Sequence, residues 1–152
     1  MSIIRLRDAQ QNELESLSAL CLRSKAVWGY DDAFMAVCRA ELTLQPAELQ
    51  STHLQVAAVE MAPVGLVQIK VVDEDADLLK LFVEPNRLKS GIGRLLLGWA
   101  TARARSLHAL RMTIEADPDA VPFYQRMGAH LAGSAASGSI PGRTLPRLIL
   151  NL

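Results

Sequence analysis

The chain has 152 residues and a mass of 16.6 kDa, the size of one domain that buries ~70% of its unfolded surface, and it is read as a single domain over residues 1–152. Half of the residues are hydrophobic, 21% are charged, and 16 basic side chains stand against 16 acidic ones. Intrinsic disorder and a polycation that coats nucleic acid are both excluded, and no nucleic-acid partner is expected.

The stretch Met1-Ser2-Ile3-Ile4-Arg5-Leu6-Arg7-Asp8 becomes charged within five residues and has no apolar core of a secretory signal. No apolar run approaches the ~18 residues of a membrane span, so no membrane association is expected. The two cysteines, Cys21 and Cys38, form no CxxC pair and fall in amphipathic helical patterns, where a free thiol acts as a small hydrophobe. The expectation is a cytoplasmic protein without disulfides. His53, His108 and His130 are scattered without metal-ligand spacing, and no metal is expected.

In chain order, Ile3 to Arg7 alternates as a first strand, and Asp8 with Gln11 three residues on has the spacing of a helix cap. The helix that follows runs to about Ala26 with Leu14, Leu17, Leu20 and Cys21 on one face. Val27-Trp28-Gly29-Tyr30-Asp31-Asp32 interrupts the pattern. Asp31 or Asp32 caps a second helix carrying Phe34, Met35, Cys38 and Leu42, which Pro46 limits. A second strand from His53 to Glu60 and a third from Leu66 to Val72 form a hairpin, with Ala62-Pro63-Val64-Gly65 as its turn. After Asp73-Glu74-Asp75, the apolar run Leu78 to Val83 is a fourth strand covered on both faces, and Pro85 stops it.

A helix to about Leu107 follows the segment Asn86 to Arg94. Its wheel puts Ile92, Leu95, Leu96, Trp99, Ala100 and Leu107 on one side, with Arg94, Gly98, Thr101 and Arg105 opposite. Arg103 falls on the apolar side, where it must snorkel or pair. Leu110 to Ala116 is a fifth strand, Asp119 to Met127 a short helix ended by Gly128, and His130 to Ala135 and Leu145 to Leu152 are final strands. The order implies a mixed sheet with helices on its faces, and a right-handed crossover makes the fourth and fifth strands parallel.

The loop Leu88 to Gly93 joins the end of a buried strand to a helix N-terminus, where unpaired N–H groups and the helix dipole favour an anion. Gly91 and Gly93 remove Cβ atoms that would obstruct phosphate oxygens, and Lys89 and Arg94 add positive charge. A dinucleotide fingerprint would need glycine where Leu96 stands. A nucleoside-triphosphate loop built on Gly93 and Gly98 would need Lys and Ser or Thr where Trp99 and Ala100 stand. On its own the Gly-x-Gly is equally well a tight turn.

The run Leu79-x-Leu81-x-Val83-x-Pro85, followed by Lys89-Ser90-Gly91-Ile92-Gly93-Arg94-Leu95-Leu96, resembles motif A of the GNAT superfamily of N-acetyltransferases, with its Gln/Arg-x-x-Gly-x-Gly/Ala signature. About thirty residues on, Asp117-x-x-Ala120-x-x-Phe123-Tyr124-x-x-Met127-Gly128-Ala129 is similar to that family's Asn-x-x-Ala-x-x-Phe-Tyr-x-x-x-Gly-Phe segment. Leu88, Asp117 and Ala129 depart from the family's Gln/Arg, Asn and Phe.

The resemblance implies an α/β (α+β) fold: a mixed, mostly antiparallel sheet of about six or seven strands, helices on both faces, and parallel strands four and five splayed apart. It implies acetyl-CoA as co-substrate, with the pyrophosphate on the amides of Lys89, Ser90, Gly91, Ile92, Gly93 and Arg94. The pantetheine arm is then expected against the backbone of Phe82 and Val83, and Asp117 and Phe123 join the cofactor site.

Acetyl transfer to an amine needs a neutral amine, an oxyanion donor and a proton for the departing thiolate. Tyr124 is the candidate acid: a phenol of ordinary pKa near ~10 is protonated at neutral pH, and the resemblance puts it beside the sulfur. Pro122 belongs in a helix's first turn, which makes Asp119 the expected cap and sets Tyr124 early in the helix. No base is singled out among Glu84, Asp77 and solvent.

The acceptor is assigned to the irregular segments Val27 to Asp32 and Ser137 to Arg143, with Trp28, Tyr30 and Asp31 as an aromatic and acidic wall for a cationic amine. Trp28 serves equally well as a core plug, and Arg143 as a partner of Asp31 or of an acceptor carboxylate. The leading reading is an N-acetyltransferase acting on an amine, with a small molecule preferred as acceptor. A non-catalytic acyl-CoA-binding module and an ATP-binding domain are the alternatives, and a homodimer is left open.

Overall fold

The computed structural model describes residues 3–152. Of the N-terminal stretch read for a signal, Met1 and Ser2 lie outside the described residues. The strands are β1 (Ile4–Asp8), β2 (His53–Val59), β3 (Ala62–Val72), β4 (Asp75–Val83), β5 (Arg111–Glu115), β6 (His130–Ala136) and β7 (Thr144–Asn151). The helices are α1 (Leu14–Ala26), α2 (Asp32–Leu42), α3 (Glu48–Ser51), α4 (Ile92–Ser106) and α5 (Val121–Arg126). One sheet runs in the order β1-β2-β3-β4-β5-β7-β6. β4 and β5 are parallel, and every other neighbouring pair is antiparallel.

Because successive strand side chains point to opposite faces, β2 and β3 feed two separate cores. On one face Leu14, Leu17, Leu20 and Cys21 of α1 and Cys38 and Leu42 of α2 meet Leu54, Val56 and Leu66. On the other, Ile92, Leu96, Leu97 and Ala100 of α4 meet Ile69, Met112, Ile114 and Leu148. Both cysteines are buried free thiols, and burial pushes the Cys21 thiol up to about 12. Among the described residues, no helix is long and apolar enough to cross a membrane.

Several local expectations are corrected. The hairpin turn is Glu60-Met61, at φ 50° and 76°, and not the segment from Ala62 to Gly65, which belongs to β3. Two positive φ values match the twist of the flanking strands. Pro63 is tolerated in the strand beside the register shift at Ala57/Ala58. Asp8 is the last residue of β1; the capping box is made by Gln10 and Glu13 ahead of the 3₁₀ turn Gln11–Glu13. Asp31, rather than Asp32, caps α2 by accepting from the Phe34 N–H at 2.8 Å.

On α4 the buried stripe is Ile92, Leu96, Leu97, Ala100, Thr101 and Ala104, so the wheel is rotated from the expected one. Leu95 is exposed, and the Thr101 hydroxyl satisfies itself on the Gly98 carbonyl at 3.0 Å. Arg103 is exposed, not held on an apolar side. Asp119 caps nothing: it sits in the 3₁₀ turn Pro118–Ala120 that leads into α5. Pro122 does fall in the first turn of α5, and Gly128 ends that helix at φ 103°.

Candidate active site

The parallel register of β4 and β5 runs from Asp75/Arg111 to Leu78/Ile114 and then stops. On the other side of β4, the register with β3 shifts between Gln68 and Ile69, so that Leu79 is the extra residue of a bulge. A bulge bends the strand that carries it. Beyond it β4 leaves β5, which stays paired to β7 through Glu115. A cleft of about 810 Å³ opens in the gap.

Alternation fixes which backbone groups face that cleft. The Glu84 N–H bonds the Val64 carbonyl at 2.8 Å, and Phe82 stands opposite Leu66. The main-chain groups of Phe82 and Glu84 are therefore turned toward β3, and those of Leu81 and Val83 toward the open edge. Phe82 is corrected accordingly: it lines the cleft and packs under α1, while the strand edge free to pair with a ligand belongs to Leu81 and Val83. The Val83 N–H is held by the Ser24 hydroxyl at 3.3 Å.

Past the 3₁₀ turn Pro85–Arg87 the chain reverses into α4. Lys89 at φ 62° and Gly91 at φ 86° and ψ 0° make that reversal, and Gly91 is the N-cap. The first intrahelical bond is Leu95 N–H to the Gly91 carbonyl at 3.0 Å. The N–H groups of Ile92, Gly93 and Arg94 precede it and are left without helical partners. Nothing lies within 4 Å of where a Gly91 Cβ would stand, so this glycine is required by its backbone angle and not by crowding. At Gly93 a Cβ would stand 3.4 Å from Phe123 Cζ, an ordinary contact, so the Phe123 ring packs beside the first turn of α4 without requiring a glycine there.

Lys89, Gly91, Ile92, Gly93 and Arg94 all line the cleft, joined by Arg87, which sequence reasoning passed over. Ser90 is exposed, and its hydroxyl donates to the Arg87 carbonyl, fixing the loop instead of facing the cleft.

Tyr124 is buried on α5 and lines the cleft, edge-on to Phe123 with ring centroids 5.1 Å apart. Burial, then the nearby Asp117 charge, pushes its phenol well above the ordinary tyrosine range. No hydrogen-bond partner holds its hydroxyl among the described residues.

Asp117, at the end of β5, is a junction. Its Oδ1 accepts from the Tyr30 hydroxyl at 2.6 Å and from Arg143 Nη2 at 3.2 Å, and Lys25 Nζ stands 3.6 Å from Oδ2. Arg143 Nη2 also donates to the Tyr30 hydroxyl at 2.7 Å. The Tyr30 phenol is pushed up to about 12, by burial first and then by its bond to Asp117. Its ring stacks on Phe34 with centroids 4.0 Å apart.

The expected acceptor wall is therefore partly rearranged. Trp28 is 40% exposed and lines the cleft, which removes the core-plug reading. Asp31 is consumed as the α2 cap and does not line the cleft, and Arg143 pairs with Asp117 and Tyr30 instead of Asp31. Of the two suggested bases, Glu84 is bound by Arg23, with Nε to Oε1 at 2.9 Å, and Asp77 is exposed on the paired part of β4. Neither lines the cleft. Ser24 and Lys25, which do, carried no signal in the sequence beyond membership of a helix.

A family model for the acetyltransferase (GNAT) domain matches residues 9–136. The chain belongs to the GNAT acetyltransferase family. Among solved structures, this GNAT chain is similar in fold to the PaiA N-acetyltransferase of Thermoplasma acidophilum in complex with coenzyme A, at a TM-score of 0.83 and 17% identity over 99% of both chains. It is also similar to a GCN5-related N-acetyltransferase of Rhodopseudomonas palustris, at 0.82 and 21% identity over 100% of this chain and 98% of the other. An acetyltransferase of the GNAT family from Staphylococcus aureus follows at 0.78 and 17% over 98% and 99%. No curated protein sequence matches it. The GNAT fold accounts for the seven-stranded mixed sheet and the divergence of β4 from β5.

Proposed function

We propose that this GNAT domain transfers the acetyl group of acetyl-CoA to an amine by direct attack, with Tyr124 as the general acid. The observation that carries the reading is one cleft containing three kinds of group: unpaired amides at the start of α4, an unpaired edge of β4, and a partnerless phenol. The amides of Ile92, Gly93 and Arg94, with Arg87 and Lys89 beside them, suit a pyrophosphate. The free edge at Leu81 and the Val83 carbonyl suits an extended amide-containing arm, by the hydrogen bonding that adds a strand to a sheet, the Val83 N–H being held by the Ser24 hydroxyl.

The chemistry supplied by the bound co-substrate is a thioester: the amine nitrogen bonds to its carbonyl carbon and the carbon–sulfur bond breaks. On the open edge of β4 the Leu81 N–H is the donor available to the oxyanion, the Val83 N–H being held by the Ser24 hydroxyl. Burial keeps the Tyr124 phenol protonated throughout the neutral range; because it is a weaker acid than a thiol, its transfer to the departing sulfur is completed by the proton that the amine releases through water, which restores the phenol. With Glu84 and Asp77 outside the cleft, the proton of the attacking amine leaves through water.

Tyr124→Phe is expected to lower kcat by ~10² while leaving the Kd for acetyl-CoA within about twofold, because the ring and its packing remain. Free-thiol release and calorimetry measure the two. In the parent protein kcat shows no decline from loss of the Tyr124 proton up to about pH 9, since the acid must be protonated and burial keeps it so. Undiminished turnover in the variant overturns the role given to Tyr124. Binding of acetyl-CoA with no thiol release against a broad amine panel favours a sensing module.

A further inference from the structure

A second cavity, of about 480 Å³, lies away from the cleft, between the paired ends of β1 and β2 and the C-terminal half of α4. Asp8 and Gln55 stand opposite each other in the β1–β2 register, so their side chains share one face of the sheet. Gln55 alternates with Ala57 and Val59, which pack in the α4 core. The same face therefore meets Trp99 and Arg103, four residues apart on α4, and all four line the cavity. His53 lines it too, and burial first, then the Arg103 charge, holds its imidazole below the ordinary histidine range and so neutral at pH 7.

Gln55 is the anomaly. The residue is 8% exposed, and its Oε1 is buried with no hydrogen-bond partner among the described residues. Gln68, the buried glutamine of the neighbouring strand, is satisfied at both ends: it accepts from Lys80 Nζ at 3.2 Å and donates to the Thr52 hydroxyl at 3.0 Å. An amide oxygen kept from water without a donor is destabilising, and an apolar residue would serve the fold better at this place. The demand of Gln55 is met only by something in the cavity, toward which a small rotation about the soft terminal torsion turns Oε1.

Two charges of opposite sign flank the amide and do not meet. Asp8 and Arg103 both line the cavity and are exposed at its mouth, and among the described residues neither side chain takes part in an ion pair. Asp8 and Gln55 Oε1 form an accepting pole beside the strand pair, and Arg103 a donating pole on the helix. With His53 neutral, the two charges cancel.

We infer that this cavity is a second small-molecule site, for a zwitterion the size of a free α-amino acid, its ammonium on Asp8 and the Gln55 carbonyl and its carboxylate on Arg103. An ammonium carries three donors, enough for a carboxylate and an amide oxygen together. The planar guanidinium matches a carboxylate. A plain amine would be repelled by Arg103 and a plain acid by Asp8, whereas a zwitterion satisfies both poles. Half-buried Trp99 and Leu49 offer an apolar wall to a short side chain. None of these residues lines the cleft, so the site stands apart from the acetyl-transfer reading.

The test is calorimetric titration of the CoA-loaded protein with L-alanine, ethylamine and propionate. Alanine is expected to bind at least about tenfold more tightly than either singly charged probe. Arg103→Gln and Gln55→Leu each weaken alanine by about tenfold or more, with the Kd for CoA within about twofold of the parent. Gln55→Leu also replaces the unmet amide by an apolar group of similar size, so the Tm of the unliganded variant is expected at or above that of the parent. A clear drop means that the fold itself satisfies the amide, and counts against the inference. Equal binding of the three probes, no heat from millimolar alanine, or alanine affinity that either variant retains overturns it.

Discussion

At the α4 mouth of the cleft the groups offered to a ligand are main-chain N–H groups, fixed by a left-handed glycine and the start of a fifteen-residue helix. At the α1 end they are side chains: Lys25 and Asp117 line the cleft, with Tyr30 and Arg143 bonded to Asp117 beside it, gathered from positions up to 92 residues away from Asp117 in the chain. The first end suits a group common to every cycle of the reaction, because amides and a helix dipole recognise charge and little else. The second suits discrimination between acceptors, because a side-chain cluster changes with single substitutions while the sheet beneath it is unaffected. Bulge and splay serve both ends, since the departure of β4 from β5 after Leu78 opens one continuous space between them.

That contrast is broken most sharply at Gly91. Gly91→Val forces a β-branched residue into a left-handed conformation at a cost of about 1–3 kcal/mol and turns the α4 amides away from their ligand. The Kd for acetyl-CoA should rise by roughly tenfold or more. If affinity is unchanged, the loop is a turn and the α4 mouth is not the anchoring end.

A smaller effect sharpens the comparison from the other side. Tyr30→Phe removes the hydroxyl that bonds both Asp117 and Arg143 but keeps the ring stacked on Phe34. It should lower stability by about 1 kcal/mol, a fall of ~2–4 °C in Tm, with no change in the Kd for acetyl-CoA. Thermal unfolding with and without acetyl-CoA separates the two. A loss of cofactor affinity in this variant would mean that the two mouths are not independent.

The end built from the backbone is also the end that was legible in the sequence. Gly91, Gly93 and the Phe123-Tyr124 pair announce themselves by residue type and spacing, and the alternation of buried and exposed positions gave the order of strands and helices. The Glu60-Met61 turn escaped because neither residue carries the usual chemistry of a positive φ. The bulge at Leu79 escaped because a run of apolar residues hides which of them is supernumerary. Thr101 and Leu95 exchanged faces because a wheel weighs polarity alone, and a hydroxyl that bonds its own helix can be buried. The Asp117 cluster was illegible for a different reason. Nothing in the local sequence around Lys25, Tyr30 or Arg143 specifies which distant carboxylate will meet them, and Asp31, the near one, is taken by the N-terminus of α2.

The most direct test is a crystal structure of the protein with coenzyme A bound. The pyrophosphate is expected within hydrogen-bond distance of the Ile92, Gly93 and Arg94 amides, the pantetheine amides along Leu81 and Val83, and the sulfur beside the Tyr124 hydroxyl. Coenzyme A seated elsewhere, or a gap between β4 and β5 filled by the protein's own side chains at saturating ligand, would contradict the account.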